Sequence, residues 1–267
     1  MGILDAFFLA VSFFGSELFV LVALAYAFCW RREYGLRIAF ATLITIYITL
    51  LLKLFFRIPR PEPELWKTKA YGYSFPSGHS SISACFWGYT AKHFDSLFLR
   101  LFSPAIILLV GISRVYLGVH RWEDVIAGWA LGLCVALTFD AVYEKITSLI
   151  SSTQLRLLVS LIVFASLYAL TYALGNPTEY DYQQALKVLS LLAGLTIALI
   201  ATPNTYLDMS DAETLSSIML RGNITLLILI VSYICAKTHP ELVVPMFLLM
   251  GILLVALIPW IIRRAKI

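Results

Sequence analysis

An all-α, polytopic transmembrane bundle is the fold class that this sequence predicts, and three observations predict it. The 267 residues are 60% hydrophobic and 13% charged, with a mean hydropathy of +0.86. A soluble domain carries about 25% charged and roughly 45–50% apolar residues. Several apolar runs approach the ~20 residues that a spanning helix requires. These runs are too long and too continuous for barrel strands, which leaves helices as the structure that satisfies its own backbone in hydrocarbon.

About nine spans are expected, at roughly 6–30, 38–57, 78–94, 98–116, 122–143, 155–174, 184–202, 217–236 and 241–262. The stretch Met1 to Asp5 lacks the basic segment of a cleavable signal, so the first apolar run is expected to be a retained span. No soluble domain, long linker or internal repeat stands out. Residues 1–145 hold all the unusual polar chemistry, and residues 146–267 are expected to add C-terminal spans of unknown role.

Orientation follows from the lysine and arginine bias of short loops. Arg31, Arg32 and Arg37 follow the first expected span, Lys92 and Arg100 the third, and Lys145 and Arg156 the fifth. Arg263, Arg264 and Lys266 close the chain. All four clusters fall on one side, expected to be cytoplasmic, with the N-terminus outside. Asp208, Asp211 and Glu213 run against Arg221 in one loop, but acidic residues weigh little in this rule. The segments at 58–77 and 113–121 then share the outer side. Their basic residues Arg60, Lys67, Lys69, Arg114 and Arg121 oppose the general bias, as cations that serve a local anion would.

Cys29, Cys85, Cys134 and Cys235 lie far apart inside apolar runs. They form no C-x-x-C pair, so neither a zinc site nor a disulfide framework is expected, and buried small residues is the reading. A net charge of +4 is too modest to imply a nucleic-acid partner.

Three polar elements break the apolar pattern. Lys53 lies near the outer end of a span, where snorkelling alone would explain it. Arg60 and Pro61 follow seven residues later, and Pro59 and Pro61 stop the helix. A point charge and a planar donor fork together suit a tetrahedral phosphate. Next comes Phe75-Pro76-Ser77-Gly78-His79-Ser80, directly before a span. Backbone N–H groups at a helix start bind anions, and glycine lets the main chain approach the oxygens. The Ser77 hydroxyl can donate, and His79 can supply a proton near neutral pH. An ordinary Ser-Gly helix cap fits the same residues. The third element is Ser113-Arg114-x5-His120-x3-Asp124. If 120–124 begins a helix, His120 and Asp124 share a face. The carboxylate can then hold one ring nitrogen protonated and leave the other free to attack phosphorus; a structural His–Asp cap is the plainer alternative.

Together, K-x6-R-P, P-S-G-H and S-R-x5-H-x3-D occur in order, on one expected face. On these motifs the chain resembles the type 2 phosphatidic acid phosphatase superfamily, which includes glucose-6-phosphatases and vanadium haloperoxidases. The resemblance covers mainly residues 50–130. It implies a phosphatase helical core in residues 1–145, with His120 as nucleophile forming a phosphohistidine and Asp124 orienting it. It implies that His79 protonates the leaving oxygen and then activates water. Lys53, Arg60, Ser77, Gly78 and Arg114 match phosphate-binding positions. The resemblance also implies that no metal and no cofactor is used.

The expected activity is therefore hydrolysis of a lipid phosphate monoester or polyprenyl diphosphate, by a multi-pass protein of a cell membrane or endomembrane, with the site on the non-cytoplasmic face. The expected partners are that lipid phosphate or isoprenoid diphosphate and the bilayer itself. A phosphatase for a soluble sugar phosphate, a lipid phosphotransferase and a non-catalytic lipid-phosphate binder or transporter are the alternatives. Glu17, read as mid-span, is either functional or hydrogen-bonded to a neighbouring helix. Asp140 and His93 are expected near the inner interface, and His239 in a loop. Tyr71, Tyr73, Tyr116 and Trp122 are expected as interface anchors or as walls of a headgroup pocket.

Overall fold

The structure, a computed structural model, describes residues 2–20, 22–23, 32–150, 152–201, 223, 227 and 243–253. Every regular element among them is helical: α1 (Ile3–Phe13), α2 (Arg32–Phe56), α3 (Gly78–His93), α4 (Leu97–Tyr116), α5 (Trp122–Leu149), α6 (Thr153–Leu174), α7 (Tyr180–Ala201) and α8 (Val243–Ile252), with a 3-10 turn at Pro63–Leu65. Five helical segments are long and apolar enough to cross a membrane: Glu33–Phe56, Leu97–Tyr116, Trp122–Leu149, Thr153–Leu174 and Tyr180–Ile200. Leu101, Leu137, Leu161 and Ile162 point large apolar side chains outward, a surface suited to hydrocarbon rather than water. The chain is a multi-pass integral membrane protein.

The expected spans at 6–30, 38–57 and 184–202 are redrawn, the second because its helix already starts at Arg32, and the one at 78–94 is short. The run at 6–30 is not one helix through its described part, because α1 ends at Phe13 and a turn at Phe14–Ser16 follows. The Ser16 hydroxyl accepts the Phe19 N–H at 3.1 Å, which caps a new helical start at Glu17. Glu17 is thus at a helix N-terminus and not in mid-span. The third span, α3, has only 16 residues, about 24 Å of helix against a hydrocarbon core of ~30 Å. Pro76 fixes its start, and Ser80, Ser81, Ser83 and Thr90 are among its buried residues. The seventh starts at Tyr180 and not at 184, since its polar first turn escapes a hydropathy reading. The expected span at 217–236 lies outside the described residues except at 223 and 227, and His239, Cys29 and Cys235 lie outside them altogether. Cys85 is buried as expected, but Cys134 is exposed on the outer face of α5.

The chain divides into two compact units. One comprises Met1–Val20, Ile38–Val142 and Leu174–Ala185. Within it α1 and α3 both pack against α4. The start of α5 packs closely on α3 through Gly128 and Gly132. A Cβ at Gly128 would lie 2.7 Å from the Ser77 carbonyl, and one at Gly132 would lie 2.8 Å from the Ala84 Cβ. This small-x3-small face lets the two backbones approach. The first turns of α3 and α5 come side by side as a result, and the Ser77 N–H donates to the Asp124 carbonyl at 2.9 Å. At the far ends of the same helices, Asp140 accepts from Tyr89 Oη at 2.6 Å, Lys92 Nζ at 2.7 Å and His93 Nε2 at 2.8 Å. The two residues expected near the inner interface therefore clasp each other.

The other unit comprises Leu21–Arg37, Tyr143–Ala173 and Leu186–Ile267. Within it Arg37 pairs with Glu33 at 2.8 Å and Glu144 at 3.3 Å, and Tyr168 Oη meets Ser190 Oγ at 2.6 Å.

Candidate active site

One end of the first unit is built from the segment 57–77, the turn 117–121 and the first turns of α3, α5 and α7. Backbone bonds lace these segments together: Lys67 N–H to Leu117 O at 3.0 Å and Ser74 N–H to Ile58 O at 2.8 Å. The start of α1 is tied to the same end, where Asp5 pairs with Lys67 at 3.2 Å and accepts from Tyr116 Oη at 3.0 Å. Lys67 also sits 3.8 Å above the Tyr116 ring.

A cavity of about 160 Å³ opens between these segments, room on the order of five waters. Lys53, Arg60, Gly78, His79, Arg114 and His120 line it. Both imidazoles and four of the five expected phosphate-binding residues therefore meet at one cavity. The fifth, Ser77, is buried behind the cavity wall, where its Oγ accepts from Ser80 Oγ at 2.9 Å. Asp124 stands behind His120.

The tautomer of His120 follows from its partners. Arg60 Nη1 lies 2.9 Å from His120 Nε2, and a guanidinium can only donate. Nε2 therefore carries the lone pair and Nδ1 the proton. Nδ1 faces Asp124 Oδ2 and Ser74 Oγ, each at 3.3 Å. Asp124 Oδ2 also accepts from Ser74 Oγ at 2.5 Å and from the Arg121 N–H at 2.9 Å. The helix starts at Trp122, so His120 precedes it. The i, i+4 pair forms because Asp124, at the third helical position, reaches back to cap the helix. Burial holds the His120 pKa below the ordinary imidazole value, against the Asp124 hydrogen bond and with help from the Arg60, Lys53 and Arg114 charges. This shift favours the neutral ring, the form in which an imidazole has a lone pair to share.

The cations are each held from behind. Lys53 Nζ donates to the carbonyls of Tyr73 and Ser74, the latter at 3.2 Å. Arg60 donates from Nε to Gly72 O at 3.1 Å, from Nη2 to Tyr71 O at 2.7 Å and from Nη1 to Val119 O at 3.0 Å. Arg114 Nη1 donates to Ser12 Oγ of α1 at 2.5 Å, while its buried Nε has no hydrogen-bond partner. A buried, unpaired guanidinium N–H beside a cavity is costly unless an acceptor completes it. Four cationic side chains line the cavity (Lys53, Arg60, Lys69, Arg114) against two carboxylates, Glu17 and Asp181. An anion is the ligand that this balance and this orphan donor favour.

Ser74, Ser12, Tyr180 and Asp181 belong to the site or its supports, and no motif announced them. Ser74 stands in the expected outer segment, but a lone serine carries no signal. Asp181 is an acidic residue opening a span, the one signal that could have drawn notice. Tyr71 lines the cavity and stacks on Tyr180 with ring centroids 5.5 Å apart. Among the described residues, no group of three or more His, Cys, Asp or Glu is placed to hold a metal ion.

The sequence pattern of the PAP2 superfamily matches residues 34–148, which contain all three motifs. Phosphatidylglycerophosphatase B of Bacillus subtilis is 42% identical over 83 residues, 28% of this chain and 41% of that protein. Lipid phosphate phosphatase delta of Arabidopsis thaliana is 28% identical over 219 residues, 71% of this chain and 51% of that protein. The chain thus spans about half the length, or less, of these curated relatives. A crystal structure of a transmembrane PAP2 type phosphatidylglycerolphosphate phosphatase from Bacillus subtilis is 30% identical with a TM-score of 0.49, covering 55% of this chain and 79% of that one. Residues 34–148 of the chain form a PAP2 superfamily domain.

Proposed function

We propose that the protein is a membrane phosphatase that hydrolyses the phosphate monoester or diphosphate of an amphiphile through a phosphohistidine on His120. The observation that carries this reading is the pairing of an unprotonated His120 Nε2 with the orphan Arg114 Nε–H on one cavity. One is a nucleophile and the other a donor lacking an oxygen.

In the first step the Nε2 lone pair attacks phosphorus and the bond from phosphorus to the leaving oxygen breaks. His79 gives its proton to that oxygen. The ring becomes cationic, and Asp124, already bonded to the Nδ1 proton, stabilises that charge. Lys53, Arg60, Arg114 and the backbone at Gly78 hold the non-bridging oxygens, with Ser77 closing the turn beneath them. These donors are fixed in advance, so little reorganisation accompanies the charge that develops. In the second step a water gives its proton to His79 and attacks phosphorus. The P–N bond breaks, releasing phosphate and the neutral ring. No metal is required at any step.

An amphiphilic substrate is supported by the cavity's other wall. Ile46, Leu50 and Ile82 line it, and Ile46 lies about two turns along α2 from Lys53, ~10 Å at 1.5 Å per residue. Such a wall suits a hydrocarbon chain better than a sugar. The names of the relatives, a phosphatidylglycerophosphatase and a lipid phosphate phosphatase, point the same way.

The protein purified in detergent should release inorganic phosphate from a short-chain phosphatidate with EDTA present, more readily than from glucose 6-phosphate. His120→Ala should lower kcat on the order of 10³-fold or more. Full turnover by that variant would end the mechanistic reading, and a strict metal requirement would end its metal-free form.

A further inference from the structure

The cations of the site are anchored on a short stretch of backbone. Carbonyls of four consecutive residues, Tyr71 to Ser74, receive the Arg60 and Lys53 donors. Whatever fixes this stretch also fixes where the remaining donors point. Lys53 has three N–H groups and spends two on carbonyls; Arg60 has five and spends three on carbonyls and one on His120.

The residues that hold the stretch come from a distant part of the chain, the turn that opens α7. Asp181 Oδ2 accepts the Tyr73 N–H at 2.6 Å. Gly72 adopts φ +67°, and a Cβ there would sit 2.5 Å from the Asp181 Cγ. The carboxylate therefore fills the space that any side chain at Gly72 would need. Beside it Tyr180 stacks on Tyr71, and Glu179 accepts from Tyr73 Oη at 3.4 Å and pairs with Arg57 at 3.9 Å. Three consecutive residues of one turn thus grip three consecutive residues of the other.

We propose that Asp181 is a positioning residue for the phosphate: by holding the Gly72–Tyr73 backbone, it sets Lys53 and Arg60 in the geometry that receives the substrate anion. Three features favour this over an ordinary helix cap. Asp181 Oδ2 bonds the Tyr73 N–H of another segment, and not an N–H of its own helix. The residue is 2% exposed yet lines the cavity, and a buried carboxylate persists only where charge and hydrogen bonds compensate it. It also acts on Arg60 electrostatically: burial pulls the Arg60 pKa below its usual value, and the Asp181 carboxylate, followed by Asp124, opposes that pull.

The inference rests on the phosphatase reading, and its test separates the two. The full chain in detergent is assayed for KM and kcat with a short-chain phosphatidate, for competitive inhibition by orthovanadate, and for its melting midpoint. Asp181→Ala should raise KM and the vanadate inhibition constant about tenfold or more, with a smaller fall in kcat. Lost anchoring weakens ground state and transition state alike. The midpoint should stay within about 2 °C of wild type. Asp181→Asn keeps an oxygen for the Tyr73 N–H and should rescue binding to within about threefold. Gly72→Ala puts a methyl where the carboxylate lies and should reproduce the weak binding, so the test survives if Asp181→Ala fails to fold. Wild-type vanadate affinity in Asp181→Ala, an Asn variant as weak as Ala, or binding loss that merely tracks a fallen midpoint would each overturn the proposal. Wild-type protein that neither binds vanadate nor releases phosphate would instead overturn the reading of the site.

Discussion

Asp124 Oδ2 collects three donors, from Ser74, the Arg121 backbone and the His120 ring, and they do not count equally in catalysis. In the proposed mechanism the ring contact selects the tautomer that leaves Nε2 unprotonated and would stabilise the imidazolium formed on attack. An amide at 124 can present N–H in place of an acceptor and so favour the wrong tautomer, a change that costs about 10⁴-fold in a serine-protease triad. Asp124→Asn should therefore lower kcat by on the order of 10²–10⁴-fold. Ser74→Ala removes one donor of three, leaves the carboxylate bonded, and should cost about tenfold or less. Steady-state kinetics on the two variants checks the order, and a Ser74 effect as large as that of Asp124 would contradict it. The contact between His120 and Asp124 was legible in the sequence because a four-residue spacing at a helix start brings two side chains together. Ser74 was not, because a serine in a polar segment is ordinary until folding sets it between a carboxylate and a ring.

At the scale of elements, what brings the two imidazoles together is how closely α3 lies against α5. The motifs predicted which residues should converge, and hydropathy located the helices, but neither reading identified Gly128 and Gly132 as the contact that makes convergence possible. Hydropathy also missed what is polar at helix ends: the break at Phe14–Ser16 and the first turn of α7 that carries Asp181. Both are local departures inside apolar surroundings, which window averaging erases. The packing is testable. Gly132→Leu places a side chain against the Ser81 carbonyl and the Ala84 Cβ, where overpacking costs about 1–3 kcal/mol and pushes the start of α3 away from His120. The melting midpoint in detergent and kcat should both fall. Leu137→Ala, on an exposed position of the same helix, should change stability by only about 0.5 kcal/mol. Unchanged activity in Gly132→Leu would mean that the helix contact does not set the site.

At the scale of the whole molecule, orientation decides which leaflet feeds the site. Within the first unit the cavity lies at the end built from 57–77, 117–121 and 175–179, and the turn carrying Asp95 follows α3 at its other end. Lys92 and Arg100 flank that turn, and by chain order Lys145 and Arg156 flank the next turn of the same parity. A cytoplasmic excess of lysine and arginine would then put the cavity on the non-cytoplasmic face, despite its own cations. Those cations are committed to carbonyls, a carboxylate or the cavity, so they are poor retention signals for the cytoplasmic side. In a Cys134→Ala background, Glu64→Cys in the 3-10 turn should react with a membrane-impermeant maleimide in intact cells. Asp95→Cys should react only after permeabilisation. Both positions are exposed, so burial does not confound the comparison. The reverse pattern would place the site inside, and the substrate would then have to come from the cytoplasmic leaflet.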